Sequence, residues 1–218
     1  MRKPLTTSLE SAQKIVSAYQ KAKITLAVNY TRRWNDQITK LKNQIAENKY
    51  GKLQKIIGIY NKGTLHNGSH MVDLLSYFFG EVSQAKCLHK INDWKKSDST
   101  VDAFINFKNQ ATAHLIATSN NHYEIHEIDM LFEKARINLP EFGTMINICK
   151  TIKNPIYKQE TILGPITSRE TNLGQTLLHI PAKIIDSIEK NIKLPCTGLD
   201  VIKTQQVCLD LITQANSI

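Results

Sequence analysis

The chain has 218 residues, 41% of them apolar, and a formal net charge of +9 from 28 basic and 19 acidic side chains. That length and composition suit one full domain or a little more, with enough Ile, Leu and Val for a core, and exclude a chain disordered over most of its length. Apolar runs last only a few residues, against the ~20 that span a bilayer, and Met1-Arg2-Lys3-Pro4 leads into polar sequence rather than a signal-peptide core, so the chain reads as cytoplasmic.

The first predicted element is a helix from Thr7, with Thr7 as cap and Glu10 three residues on. Leu9, Ala12, Val16 and Tyr19 form its apolar stripe, and it ends near Lys21. Ile24, Leu26, Val28 and Tyr30 then alternate with smaller or polar residues, the period of a strand. A second helix places Trp34, Ile38, Leu41 and Ile45 on one side and stops at Gly51. Leu53 to Tyr60 is rich in β-branched residues and predicts a strand. Gly63 and Gly68 break the next stretch into a loop. From it a helix capped by Ser69 or Asn67 runs to Gly80, burying Met71, Leu74, Leu75 and Phe78.

Beyond Gly80 the texture changes to short alternating segments at 82–91, 101–107, 111–118, 122–131 and 134–139, the rhythm of an antiparallel meander. The end returns to helix. Pro181 suits a first turn before Ile184, Ile185 and Ile188, and Val201, Cys208, Leu211 and Ala215 share a later face. The expected fold class is therefore α/β in the α+β sense: a large, mostly antiparallel sheet with helices on one face, preceded by a helix and a strand.

Several familiar chemistries are absent from the pattern. No two glycines are separated by one residue, so the dinucleotide fingerprint G-x-G-x-x-G occurs nowhere, and Gly58 to Thr64 lacks the lysine of a phosphate-binding loop. Cys87, Cys149, Cys196 and Cys208 form no C-x-x-C pair and are expected to be reduced and buried. His122 and His126 would lie about 13 Å apart along a strand, too far to share a zinc ion, so no metal site is expected. The basic run Arg32 to Lys55 is interrupted by Asp36 and Glu47, so a solvated helix face is favoured over a nucleic-acid or acidic-glycan surface.

The segment Lys62 to Asp73 is different. It packs His66, Asn67, Ser69, His70 and Asp73 into a glycine-broken loop that feeds a helix, the kind of junction where function concentrates. In the first turn of that helix, His70 would feel the positive end of the dipole, which disfavours imidazolium and leaves a proton acceptor. Two readings stay open on the residues alone: a poised base, or a helix capped by Asn67 and Ser69 with His70 satisfying a hydrogen bond.

The order of these pieces resembles the Gfo/Idh/MocA family, the glucose-fructose oxidoreductase and inositol dehydrogenase-like enzymes. Lys3-Pro4 resembles the Lys-Pro that ends a Rossmann strand of the family, Val28 to Arg33 the end of its next strand, and Gly68-Ser69-His70 the loop with its catalytic histidine. Tyr123 to Asp129 is similar to its long sheet strand, and Ile180 to Asn216 to its closing helices. There are departures: Arg2 replaces a Glu, His66 stands where an Asp is usual, and Ala135-Arg136 replaces Gly-Arg.

The resemblance implies that residues 1–31 are the remnant of a nucleotide-binding domain and 32–218 a substrate and oligomerisation domain, with roughly a hundred upstream residues carrying the nucleotide-binding turn. It implies hydride transfer between a sugar-type carbinol and NAD or NADP, His70 taking the proton and Lys3 stabilising the oxygen. Lys3 and Pro4 would border the cofactor, and Asn67, Lys62, His66 and Arg33 the substrate. The expected partners are a small sugar-type substrate and a second copy of the chain in a dimer or tetramer. No membrane is expected, nor NAD(H) binding by these residues alone. The competing reading is a non-catalytic remnant or assembly subunit that pairs through its sheet.

Overall fold

A computed structural model describes residues 5, 6 and 8–218. Lys3, Pro4 and Thr7 lie outside the described residues. Helix α1 spans Leu9–Lys21, and its cap is Ser8, whose hydroxyl accepts from the Ser11 amide at 3.2 Å. Thr31–Trp34 forms a 3-10 turn and Asp36–Ala46 forms α2, capped by Asn35, whose side-chain oxygen accepts from Gln37 and Ile38. Strand β1 is Leu53–Tyr60, with the bounds expected from its β-branched run. A π-helical turn over Gly63–Gly68 runs directly into α3, Ser69–Phe79.

Seven strands follow: β2 Val82–Lys95, β3 Asp98–Phe107, β4 Thr112–Ala117, β5 His126–Phe132, β6 Ala135–Leu139, β7 Met145–Lys153 and β8 Thr161–Glu170. Two helices close the chain, α4 Thr176–Glu189 and α5 Gly198–Ala215.

The strands make one eight-stranded sheet in the order β2-β3-β4-β1-β5-β6-β7-β8. All pairs are antiparallel except β1 with β4. The sheet is thus two meanders with β1 laid between them. Helices α2, α3 and α5 cover one face, where Met71, Leu74, Leu75, Cys208 and Leu211 meet Ile56, Ile105, Met130 and Ile137 in a continuous core. This is the mostly antiparallel sheet with helices on one face that the sequence led us to expect. Burial of its apolar side chains supplies the main stabilisation, each worth about 1.5–3 kcal/mol.

Four local expectations are corrected. Among the described residues, 24–30 form no strand and make one bridge, Ala27 with Thr197. Leu26, Val28 and Tyr30 are buried and Ile24 is exposed, so the alternation is real, but it seats an extended segment on Val16, Trp34, Cys196 and Val201 rather than beside a strand. Alternation reports which side chains face inward, not whether a backbone neighbour exists. The expected strand at 122–131 begins only at His126, with His122 in a turn before it. Pro181 lies inside α4 rather than in its first turn. Its missing N–H leaves the Leu177 carbonyl without an intrahelical donor, at a residue that is exposed. Neither Asn67 nor Ser69 caps α3, because the chain is already helical when it reaches them.

Candidate functional site

The loop from β1 to α3 is built from its backbone outward. Asn61, fully buried, accepts from the Ile125 amide at 3.0 Å and donates to the Tyr123 carbonyl at 2.7 Å, stapling the 119–125 loop to the end of β1. Lys62 and Gly63 both take positive φ, 66° and 84°. At Gly63 a Cβ would lie 2.3 Å from Asp98 Oδ2, so glycine is required for both conformation and space.

Asp98 enters from the start of β3 and accepts from the amides of Leu65 (2.7 Å) and His66 (3.1 Å). It satisfies the free donors that a cap residue would satisfy in an ordinary helix start, and it neutralises the positive end of the dipole there. The positive end therefore lies around Gly63–His66, a turn or more before His70, and the dipole acts on His70 less than its nominal first-turn position implies. That corrects the electrostatic argument for His70, not its location.

Two small clusters result. In the first, the His70 ring, half-buried, meets Tyr30 edge-on with centroids 5.4 Å apart and planes at 88°. Tyr30 is buried and hydrogen-bonded to Ser69, and burial pushes its hydroxyl well above the usual range, so it stays protonated. In the second, His66 is exposed and stacks on Trp94 at 5.3 Å, and the Lys62 ammonium lies 5.0 Å over the same indole while pairing with Glu124. His66 precedes His70 by four residues, so on a helix the two clusters share one side. Asn67 lies between them in sequence, buried, with its side-chain NH2 enclosed and without a hydrogen-bond partner among the described residues.

Arg33 is placed elsewhere. It is 6% exposed, donates from Nε to Asp73 at 2.9 Å and from Nη1 to Asp200 at 3.2 Å, and its guanidinium carbon lies 5.1 Å over Tyr77. Burial opposes its charge, but Asp73 and then Asp200 outweigh burial and raise its pKa further. Burial pushes the Asp73 carboxyl up to about 6 against the pull of Arg33, which still leaves the pair ionised at neutral pH. Arg33 also borders a cavity of about 1250 Å³ shared with Lys42, Tyr77, Lys193 and Lys203. That cavity lies at the far end of α3, and His70 is not part of its wall.

His126 is buried in β5 and stacks on Phe142 at 5.8 Å, away from His122. No disulfide links the four cysteines; Cys87, Cys196 and Cys208 are buried and Cys149 is half-buried. The residues that sequence reasoning missed are Tyr30, Trp94 and Asp98. Each reaches the 62–70 loop from a distant point in the chain, and no local spacing marks them.

This sheet with its helical cover is similar to the fold of the C-terminal part of Gfo/Idh/MocA-type oxidoreductases. The chain is 23% identical over 258 aligned positions to scyllo-inositol 2-dehydrogenase (NADP(+)) IolW of Bacillus subtilis, covering 96% of this chain and 68% of that protein. Among solved structures, an oxidoreductase domain protein from Kribbella flavida superposes with a TM-score of 0.76 at 13% identity, covering 99% of this chain and 72% of its own. The WlbA dehydrogenase from Bordetella pertussis, solved with NADH and UDP-GlcNAcA, superposes with a TM-score of 0.73 at 14% identity over 99% and 69%. No family profile matches the chain. At these identities the structural likeness is one of fold.

Proposed function

We propose that this chain supplies the substrate side of an NAD(P)-dependent oxidoreductase that acts on a hydroxyl or carbonyl of a sugar derivative. The observation that carries the reading is His70: a half-buried imidazole at the entrance of α3, held edge-on by Tyr30, in the fold of such enzymes. The relatives' names, an inositol dehydrogenase and a dehydrogenase solved with a nucleotide sugar, support a polyhydroxylated substrate.

In this reading His70 accepts the proton of the reacting hydroxyl, a step typically worth 10²–10⁴-fold. Lys3 hydrogen-bonds the oxygen on which charge develops and Pro4 borders the cofactor; both lie outside the described residues. Lys62, His66 and Asn67 orient the substrate from the 62–67 turn. Arg33 acts behind the site, fixing α3 to α5 through Asp73 and Asp200. Residues 1–31 belong with the nucleotide-binding part and 32–218 form the substrate domain.

The described residues do not by themselves fit a dinucleotide. A pyrophosphate needs open amides at a helix start behind a glycine-rich turn. Here two amides of the π-helical turn that leads into α3, those of Leu65 and His66, are taken by Asp98, and α5 opens on a capping box of Thr197 and Asp200. The 218-residue chain alone is expected to show no saturable NAD(H) binding below about 1 mM by calorimetry. Micromolar binding would overturn this assignment. The reading itself is tested by screening polyols and nucleotide sugars with both nicotinamides, using the natural full-length protein. Turnover that survives loss of His70 would refute it.

The open face of the sheet supports a homo-oligomer. Register places Ile57, Ile59, Ile116, Leu131 and Ile166 together on the side without helices, with Ile116 and Ile166 well exposed. A dimer or tetramer is expected in light scattering, because a large half-covered sheet leaves apolar surface for a partner. A monodisperse monomer would contradict this part. The same face is what a non-catalytic assembly subunit would use, and the activity screen separates the two. Among the described residues no helix is long and apolar enough to cross a membrane.

A further inference from the structure

Two consecutive arginines in the Thr31–Trp34 turn are treated very differently by the fold. Arg33 has two carboxylates. Arg32, only 7% exposed, has none within ion-pair distance among the described residues. Its single hydrogen bond among the described residues runs from Nε to the Phe142 carbonyl at 2.7 Å. The turn that offers this carbonyl takes positive φ at Glu141, Phe142 and Gly143. The Phe142 ring is in turn fixed against His126. The stem of Arg32 is thus held, while its two terminal nitrogens make no hydrogen bond among the described residues and are not among the fully enclosed polar atoms.

A guanidinium so largely withdrawn from water is costly unless an anion meets it. Burial pulls Arg32 down to about 10, with Asp73 opposing only partly, so it remains a cation at neutral pH. Tyr30, two residues before Arg32 and so within about 7 Å along the backbone, is the residue that touches His70. Tyr30 and Arg32 both feel the charge of Asp73, one helical turn along α3 from His70. Arg32 is thus two residues from the side chain that meets the candidate base, and it shares with Tyr30 the influence of Asp73.

We propose that Arg32 is the anion-recognition residue of this site, taking two oxygens of a carboxylate or phosphate carried by the substrate, so that the substrate class is an acidic or phosphorylated sugar. This deepens the oxidoreductase reading and rests on it for the word substrate. The anion site itself rests on Arg32 alone. Guanidinium suits the role because its planar fork meets carboxylate and phosphate with two parallel hydrogen bonds, which an ammonium does not reproduce.

The test titrates glucose, glucuronate, glucose 6-phosphate and inorganic phosphate into the protein and its Arg32→Met and Arg32→Lys variants by calorimetry, with thermal melts as a check of folding. Either charged sugar is expected to bind at least about tenfold more tightly than glucose. That preference should vanish in Arg32→Met and fall by about tenfold in Arg32→Lys, which keeps the charge but loses the fork. The tighter of the two charged sugars tells carboxylate from phosphate. Equal affinity for charged and neutral sugars, or a preference that survives in folded Arg32→Met, overturns the proposal. If Arg32→Met does not fold, Arg32→Lys decides: unchanged preference overturns, a tenfold fall supports. Phosphate binding that depends on Arg32, in a protein with no oxidoreductase activity, would uphold the anion site and refute the oxidoreductase reading. Absence of binding by every anion would refute the anion site whatever the reaction.

Discussion

Replacing His70 with alanine is expected to lower turnover by about 10²–10⁴-fold, the usual contribution of a positioned general base, with the protein still folded. The structural cost is small by comparison. His70 is half-buried, and its perpendicular ring contact with Tyr30 is worth about 0.5–1.5 kcal/mol. Steady-state kinetics, paired with a thermal melt, checks both halves. If kcat falls because the base is gone, His70→Gln, which keeps polarity and much of the volume, should fall as far as His70→Ala. A glutamine variant with near-native kcat would show that the ring serves packing and not proton transfer.

The largest effect on stability is expected at Arg33. Removing its guanidinium as Arg33→Met leaves Asp73, 1% exposed, as an uncompensated buried carboxylate whose remaining side-chain contact is a 3.4 Å hydrogen bond from Thr204. Breaking such a pair from one side costs about 3–5 kcal/mol, whereas replacing both partners with apolar residues is often close to neutral. Urea denaturation should therefore show Arg33→Met strongly destabilised and Arg33→Met with Asp73→Leu partly restored. The partial restoration reflects Asp200, which burial pushes up and which Arg33 and the Thr197 hydrogen bonds hold below the usual carboxylate range; it loses one of these supports in either variant. A single variant within about 1 kcal/mol of the parent would mean that the ion pair is dispensable.

The elements read most faithfully from sequence were those whose burial pattern and neighbour agree. The apolar face of α5 is one: at helical spacing Cys208, Leu211 and Ala215 are buried in the sheet core, and Val201 is buried in the cluster beneath residues 24–30. β1 is another, a β-branched run central in the sheet. Residues 24–30 show the opposite case, in which correct alternation led to the wrong element because an extended segment can be buried by helices as well as by strands. β8 was not foreseen because its outer edge is unpaired and much of its surface exposed, which removes the contrast between its two faces.

The candidate site divides along the same line. The sequence by itself determined that a glycine-flanked run carrying Lys62, His66, Asn67 and His70 enters a helix, since positive φ and close approach demand glycine at Gly63 and the apolar spacing of α3 demands a helix beyond it. Only the tertiary structure decided which groups surround that run. Asp98 reaches it across 33 residues to supply the cap, Tyr30 across 40 to meet His70, and Arg33 and Arg32 part company, one toward two carboxylates and one toward none. The physical reason is range: dihedral preference and periodicity act within a turn or two of the chain, whereas an ion pair or a ring contact forms wherever packing brings two side chains together, at any separation in sequence.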